Sequence, residues 1–465
     1  MTTIALLTLT ALLFFAILTW RVGKLSALAK ENSDLPLLEN LETTRNYLLL
    51  AIALLTLGLL AAVYFLIKNS PYEGHFFEWL NLIVRWFHIT IGIAWIGASF
   101  YFVFLENSLN RTKNLRDELA GNLWAVHGGG FYYLEKYKVA PGKIPEELHW
   151  FKYEAYFTWV SGVALLFIVY YFNAGGMLID KSVADISAGA GIGIGIGAMV
   201  VSWVVYHLLC RTALVRRGIW FSLAGFVLVT GLAWFLSQYF SARAAYIHVG
   251  AVLGTLMAGN VFFIIIPAQK AMVNAAKAGK PLDPELGKHA GLRSLHNNYM
   301  TLPVLFIMIS NHFPSTFGHP WNWAILAAIA LGSAVIKHYH NLLEKGAPVG
   351  LWLPLGVAML LGVVFVTAPE VKEDGCREQV SFTQVYPIIA ERCLSCHSSR
   401  PTDELYSAPP NGISYETPEE MVKLKDQIMQ RVVLTKTMPQ NNKTGMTQEE
   451  RDLIGCWIEQ GAALE

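Results

Sequence analysis

Charged side chains are scarce in this sequence. Asp, Glu, Lys and Arg make up 15 % of its 465 residues, against about 25 % in a typical water-soluble domain. The deficit argues against one large soluble core and for burial in lipid, and the mean hydropathy of +0.41 agrees. Neither sign of charge dominates, the net charge being +1, which removes the electrostatic ground for binding nucleic acid. No glycine-rich fingerprint sits between a strand and a helix as nicotinamide or ATP sites require. A G-x-S-x-G motif is also missing, so the run His127-Gly-Gly-Gly130 is not the oxyanion hole of a lipase. Small residues suited to cleavage are lacking before Arg21, so the first apolar stretch reads as a retained span.

Long apolar runs are what the sequence has instead. About ten stretches, near 3–20, 46–67, 78–105, 152–172, 187–209, 218–240, 245–267, 298–312, 323–343 and 350–367, are long enough, or nearly so, to cross a hydrocarbon core of roughly 30 Å. If the N-terminus faces out, most Lys and Arg residues fall on inside segments, from Arg21 to Lys345. The outside loops before residue 369 then hold only Lys68, Lys181 and Arg243. Such an asymmetry follows the positive-inside rule and puts the C-terminus outside as well. Composition turns polar after Pro369, which marks a boundary and gives segments 1–70, 71–368 and 369–465.

In the last segment, Cys393-Leu-Ser-Cys396-His397 has the C-x-x-C-H spacing. Two thiols at this spacing add to the two vinyl groups of one haem, and the adjacent His ligates its iron. Residues 382–392 read as an amphipathic first helix. Thr447-Gln-Glu-Glu450 is a capping box opening a last helix that carries Leu453, Ile454, Trp457 and Ile458 on one face. Two such helices around a Pro-rich loop resemble a small class I cytochrome c. The fold expected is therefore all-α, a polytopic α-helical bundle of about ten spans followed by this domain. A second axial ligand belongs between the haem motif and the last helix. Met438, before Pro439, is the first candidate, with Met446 and Met429 as competitors. A thioether opposite His raises the reduction potential, as suits an electron acceptor. Cys376 and Cys456 flank the domain and either pair or remain free thiols.

Ionisable residues within spans are costly and mark function. Arg85 and His88, three apart, share a helix face within Trp79–Gly97. His248 and His312 lie towards the outside, and His207, His296, His338 and His340 towards the inside. Facing helices of a bundle suit axial ligation of a b-type haem, with His88, His248 and His312 as cofactor candidates; the bland reading of each is a hydrogen-bonded interfacial histidine. The longest inside loop, 106–151, contains Val126-His127-Gly-Gly-Gly-Phe-Tyr and His149-Trp-Phe-Lys. It reads either as a ligand-approaching loop or as a Gly-rich turn between interfacial helices. Glycines at 189, 191, 193, 195 and 197 imply close helix packing.

Trp79–Gly97, the Val126–Tyr132 stretch, His149–Lys152 and the Cys393–His397 tail resemble, in order and spacing, the membrane-bound bacterial urate hydroxylases. The resemblance covers roughly residues 75–465, leaving 1–70 as an added pair of spans. It implies oxidation of urate to 5-hydroxyisourate in purine catabolism. Electrons would pass to a covalent c-type haem and on to a soluble cytochrome or terminal oxidase, without hydrogen peroxide. It also implies a multi-pass protein of the bacterial inner membrane with a periplasmic cytochrome domain. Urate is a planar anion, which a guanidinium matches with paired hydrogen bonds; Arg85 is the arginine expected within a span. His127, His149 and Glu154 are candidates for proton transfer on the inside face. An inside site then needs an intermediate carrier to reach the outside haem, whereas an outside site near Arg85, His88 and His312 needs none. The distinctive loop favours the inside. Two alternatives from other classes are a quinol-oxidising respiratory subunit feeding the c-type haem, and a haem or copper transporter with an appended electron carrier.

Overall fold

The computed structural model describes residues 2–32, 35–68, 70, 72–368, 376, 378–404, 406 and 408–464. Pro369, the expected start of the tail, lies outside them. The chain divides into two compact units, Met1–Leu80 and Asn81–Glu465. In the first, α1 (Thr2–Glu31) and α2 (Leu35–Ile67) pack on each other. Neither helix has a polar face, as expected of segments surrounded by apolar matter on all sides. Tyr64 of α2 meets Phe77 near the start of α3 (Tyr72–Asn107), ring centroids 5.6 Å apart.

The second unit continues along α3 and then departs from an all-helical chain. β1 (Leu119–His127) and β2 (Gly130–Tyr137) form an antiparallel hairpin, with Trp124 opposite Tyr133 and His127 opposite Gly130. Gly128 and Gly129 have φ of +58° and +80°, values that let a two-residue turn match the twist of its strands. The Gly-rich run therefore joins two strands, not two interfacial helices. Its signal is Gly-Gly flanked by β-favouring aromatics.

Beyond the hairpin come α4 (Tyr153–Leu165), α5 (Ala188–Leu209), α6 (Gly218–Ser237), α7 (Ala242–Gly259), α8 (Ile266–Lys277), α9 (Pro284–Ser310), the short α10 (Pro314–Phe317), α11 (Asn322–Glu344) and α12 (Trp352–Val366). α4 runs on through a π-helical turn, Leu166–Tyr171, and a second π turn covers Ala174–Leu178. Another, Asn260–Ile265, joins α7 to α8. Such turns are rare and frequent at functional sites. α7 is the most enclosed helix, with Ala244, Tyr246, His248, Val249 and Val252 at most 1 % exposed. Among the described residues, seven helical stretches are long and apolar enough to cross a membrane: Thr10–Lys30, Asn40–Ile67, Tyr72–Asn107, Tyr153–Tyr171, Ala188–Leu209, Gly218–Ser237 and Ala242–Lys277. The last three expected stretches are helical too. However, α9 and α11 carry buried polar side chains, and α12 has only 15 residues.

The C-terminal part builds its own core. α13 (Phe382–Cys393) and α16 (Gln448–Glu459) enclose it with α14 (Pro418–Lys423), α15 (Lys425–Ile428) and the π turn Met429–Leu434. Val385, Ile389, Met421, Ile454 and Trp457 are its most buried members. Capping boxes open both long helices, Ser381 with Gln384 and Thr447 with Glu450. Cys376 and Cys456 form a disulfide, Cα atoms 5.4 Å apart.

Candidate functional site

The end of α13 delivers Cys393, and the next turn delivers Cys396 and His397, because His397 N donates to Cys393 O at 2.9 Å and continues the helical bend. These three line an open cavity together with Met438, Tyr406, Ile413, Tyr415, Ile428 and Val432. Of the three candidate methionines, Met438 lines this cavity, whereas Met446 is buried in the core and Met429 packs against that core.

The donor chemistry suits a haem. The His397 ring lies with Nδ1 at 3.0 Å from Ile413 O, so Nδ1–H donates there and Nε2 keeps its lone pair for a metal. Burial holds the His397 imidazole below its ordinary pKa, in the neutral form that ligates. Burial also pushes the Cys393 thiol up to about 12 and raises that of Cys396. Met438 is fixed through its backbone: its N donates to Arg431 O at 3.0 Å, and its O accepts from Arg451 Nη1 at 2.6 Å. An electron acceptor ligated by Met438 should lose potential when that thioether is removed. Met438→Ala is expected to lower the midpoint potential and abolish the sulfur-to-iron charge-transfer band in an optical redox titration. An unchanged potential would reassign the ligand.

One wall of the cavity comes from the helical bundle, through Gly176. Behind that wall, Tyr171 Oη lies 3.1 Å from His248 Nε2, and His248 Nδ1 lies 2.8 Å from Ala244 O. Both ring nitrogens are thus engaged, and His248 offers no lone pair to iron. A Cβ at Gly195 would stand 2.5 Å from Tyr171 Oη and 2.8 Å from His248 Nε2; this glycine of α5 is what makes room for the pair. His88 Nδ1 contacts Thr158 O at 3.1 Å and Ser161 Oγ at 2.9 Å, and His312 is exposed. No step is derived through an intramembrane haem.

The inside candidates are not gathered into a site. His127 is exposed at the hairpin tip, and His149 is exposed against Phe151, ring centroids 4.5 Å apart. Glu154 is half-buried near the start of α4, with Oε2 buried and without a hydrogen-bond partner. Among the described residues no three His, Cys, Asp or Glu side chains cluster as a metal site.

Arg85 is not the buried arginine. It is exposed and donates to Asn81 Oδ1 at 3.2 and 3.0 Å. Arg293, expected on an inside segment, sits within α9 at 5 % exposure. It donates to Asn260 Oδ1 at 3.1 Å, and its Cζ lies 4.8 Å from the Tyr206 ring centroid. Asn260 donates in turn to Asn297 Oδ1 at 2.8 Å and Tyr206 Oη at 2.9 Å, and His296 Nδ1 meets Tyr206 Oη at 2.9 Å. Sequence reasoning missed this cluster. Its signal was Arg293, His296 and Asn297, spaced to share one helix face.

A second basic group lies at the opposite end of α7. Arg243 is half-buried, with Cζ 5.4 Å from the Phe317 ring centroid. It reaches the Cys393–His397 cavity electrostatically: burial and Cys396 raise the Tyr406 phenol, and Arg243 pulls it back.

Helices long and apolar enough to cross a membrane are joined here to a compact domain with a Cys-Cys-His-Met cavity. Residues 74–368 match the family described as "Urate oxidase N-terminal". The chain belongs to that family and is accordingly an oxidoreductase related to urate oxidation. Residues before 74 and after 368 lie outside the match. Comparison with curated proteins and with solved structures found no match.

Proposed function

We propose that this chain is a membrane-bound urate oxidase that converts urate and water to 5-hydroxyisourate, two protons and two electrons. The observation that carries the reading is the pairing of a family match over 74–368 with one cavity lined by Cys393, Cys396, His397, Met438 and, from the bundle, Gly176. Cys393 and Cys396 would hold a c-type haem covalently, and His397 and Met438 would ligate it. When bound, that haem takes up the electrons released from urate one at a time, for delivery to a soluble cytochrome or terminal oxidase.

The distances favour oxidation at the end of the bundle nearest this cavity. The Arg293 cluster is separated from that end by the length of α7, about 27 Å at helical rise. Arg243 stands at the near end, a guanidinium without a carboxylate partner among the described residues, and suits a planar anion. We assign it the urate anion. This moves the proposed site away from His127 and His149. The Lys and Arg asymmetry supports a C-terminal domain on the periplasmic side of a bacterial inner membrane, and a disulfide at Cys376 and Cys456 suits that oxidising compartment.

The test is anaerobic. Urate added to purified full-length protein should reduce the c-type haem, and Arg243→Gln should need a higher urate concentration for the same rate. Reduction by quinol but not by urate would favour the respiratory-subunit reading and overturn this one.

A further inference from the structure

The chain segment that carries Met438 is gripped by the helical bundle on both sides. On one side, residues 435–437 approach α10. A Cβ on Gly318 would stand 2.7 Å from Thr437 Cγ2 and 2.8 Å from Thr435 O, so the glycine permits backbone contact there. On the other side, Gln440 and Asn441 reach the π turn 174–178. Gln440 Nε2 donates to Gly176 O at 2.9 Å and contacts Met177 Sδ at 2.7 Å. Asn441 Nδ2 donates to Gly176 O at 2.9 Å and to Ile179 O at 3.0 Å.

Each partner is prepared for the other. The π turn leaves carbonyls outside regular helical bonding, and those not met by the C-terminal domain are met by the cap of α7: Ser241 N donates to Leu178 O, and Ser241 Oγ to Met177 O, both at 2.9 Å. On the opposite side, Tyr406 Oη donates to Gln440 Oε1 at 2.7 Å, which aims the amide N–H₂ at Gly176. Asn441 and Asn442 adopt φ of +51° and +46°, a backbone region asparagine tolerates better than most residues. Asn442 turns the other way and accepts from Met446 N at 3.0 Å and Arg451 Nη2 at 3.2 Å. Three consecutive amides thus bind two bodies together around Met438.

We propose that Gln440 and Asn441 are a docking latch that clamps the Met438 loop onto the turn at 173–179, and that this clamped contact is the port through which electrons enter the C-terminal domain. The inference rests on the reading of that domain as a c-type haem carrier. Gln440 and Asn441 are positioning residues. They touch neither substrate nor iron, and they act by holding the cavity wall at Gly176 against the bundle. The electrons crossing the port are those lost by urate, and the c-type haem is what they reduce.

Gln440→Glu with Asn441→Asp tests this in the full chain. Both replacements keep shape and the left-handed backbone, yet they turn donors into anionic acceptors facing carbonyl oxygens. Two readouts apply: hydrogen exchange of residues 173–180, and the anaerobic rate of haem reduction by urate. Expected are faster exchange at 173–180 and reduction by urate slowed about tenfold or more, roughly the effect of losing one net hydrogen bond from a docking equilibrium. Haem content and reduction by a small external reductant should stay unchanged. Unchanged exchange would overturn the latch. Faster exchange with reduction at the wild-type rate would overturn the port. Failure of the haem reading shows separately, as absence of covalent haem from the unmodified protein, and the exchange readout would still judge the latch.

Discussion

If the proposed c-type haem is held by Cys393 and Cys396, replacing both by alanine should remove it: intact mass would fall by one haem relative to the unmodified chain, and urate would no longer produce a reduced haem spectrum. The cause is local and large. Both sulfurs stand within one turn at the end of α13 and line the same cavity as His397 and Met438. No other described cysteine can substitute. Cys210 is buried in the bundle near His296, and Cys376 is joined to Cys456. Either single replacement should retain one thioether, and with it a weaker, strained attachment. The helical bundle has its own core, so the double variant should still insert and fold there. Unmodified sulfurs in active native protein would end the haem assignment.

Arg451→Met should destabilise the C-terminal domain more than any other single change outside the cysteines. Arg451 is 5 % exposed. Its Nη1 donates to Val432 O at 2.5 Å and Met438 O at 2.6 Å, and its Nη2 to Asn442 Oδ1 at 3.2 Å. Burial lowers its pKa, yet a guanidinium stays charged. Methionine fills similar volume but strands the Val432 and Met438 carbonyls, at about 1–3 kcal/mol each, whereas Asn442 Oδ1 is exposed and keeps its bond from Met446 N. The sum takes up a large part of the roughly 5–15 kcal/mol that stabilises a domain. A fall in the domain's melting temperature of the order of 10 °C or more is expected, together with a lower haem potential as the Met438 carbonyl comes free. Scanning calorimetry of the full chain reads the first effect and redox titration the second. A melting temperature within about 2 °C of native would show that the three bonds contribute little.

Much of this architecture was legible from local pattern. Apolar runs of helical length marked α1 through α7, because a helix satisfies its own backbone and needs only apolar surroundings. Thr447 and Glu450 marked the start of α16 because a capping box is complete within four residues. The hairpin was missed although its turn was visible: the Gly-Gly step sits among aromatic residues that pair only once two strands face each other. Arg85 and Arg293 were ranked in the wrong order for the same reason. Both lie on helices, but only α9 has Asn260 and Tyr206 brought against it by other helices.

The sequence alone determined the chemistry available: the C-x-x-C-H turn, the methionines in reach of it, and apolar runs long enough to cross a membrane. These are properties of neighbours along the backbone. Tertiary structure decided which of them meet. It put Met438 in the wall of the Cys393–His397 cavity and Met446 in the core, paired Cys376 with Cys456 across 80 residues, and set Gln440 and Asn441 against carbonyls more than 260 positions earlier. Burial and hydrogen-bond partnership depend on how distant elements pack, and no local pattern carries that information.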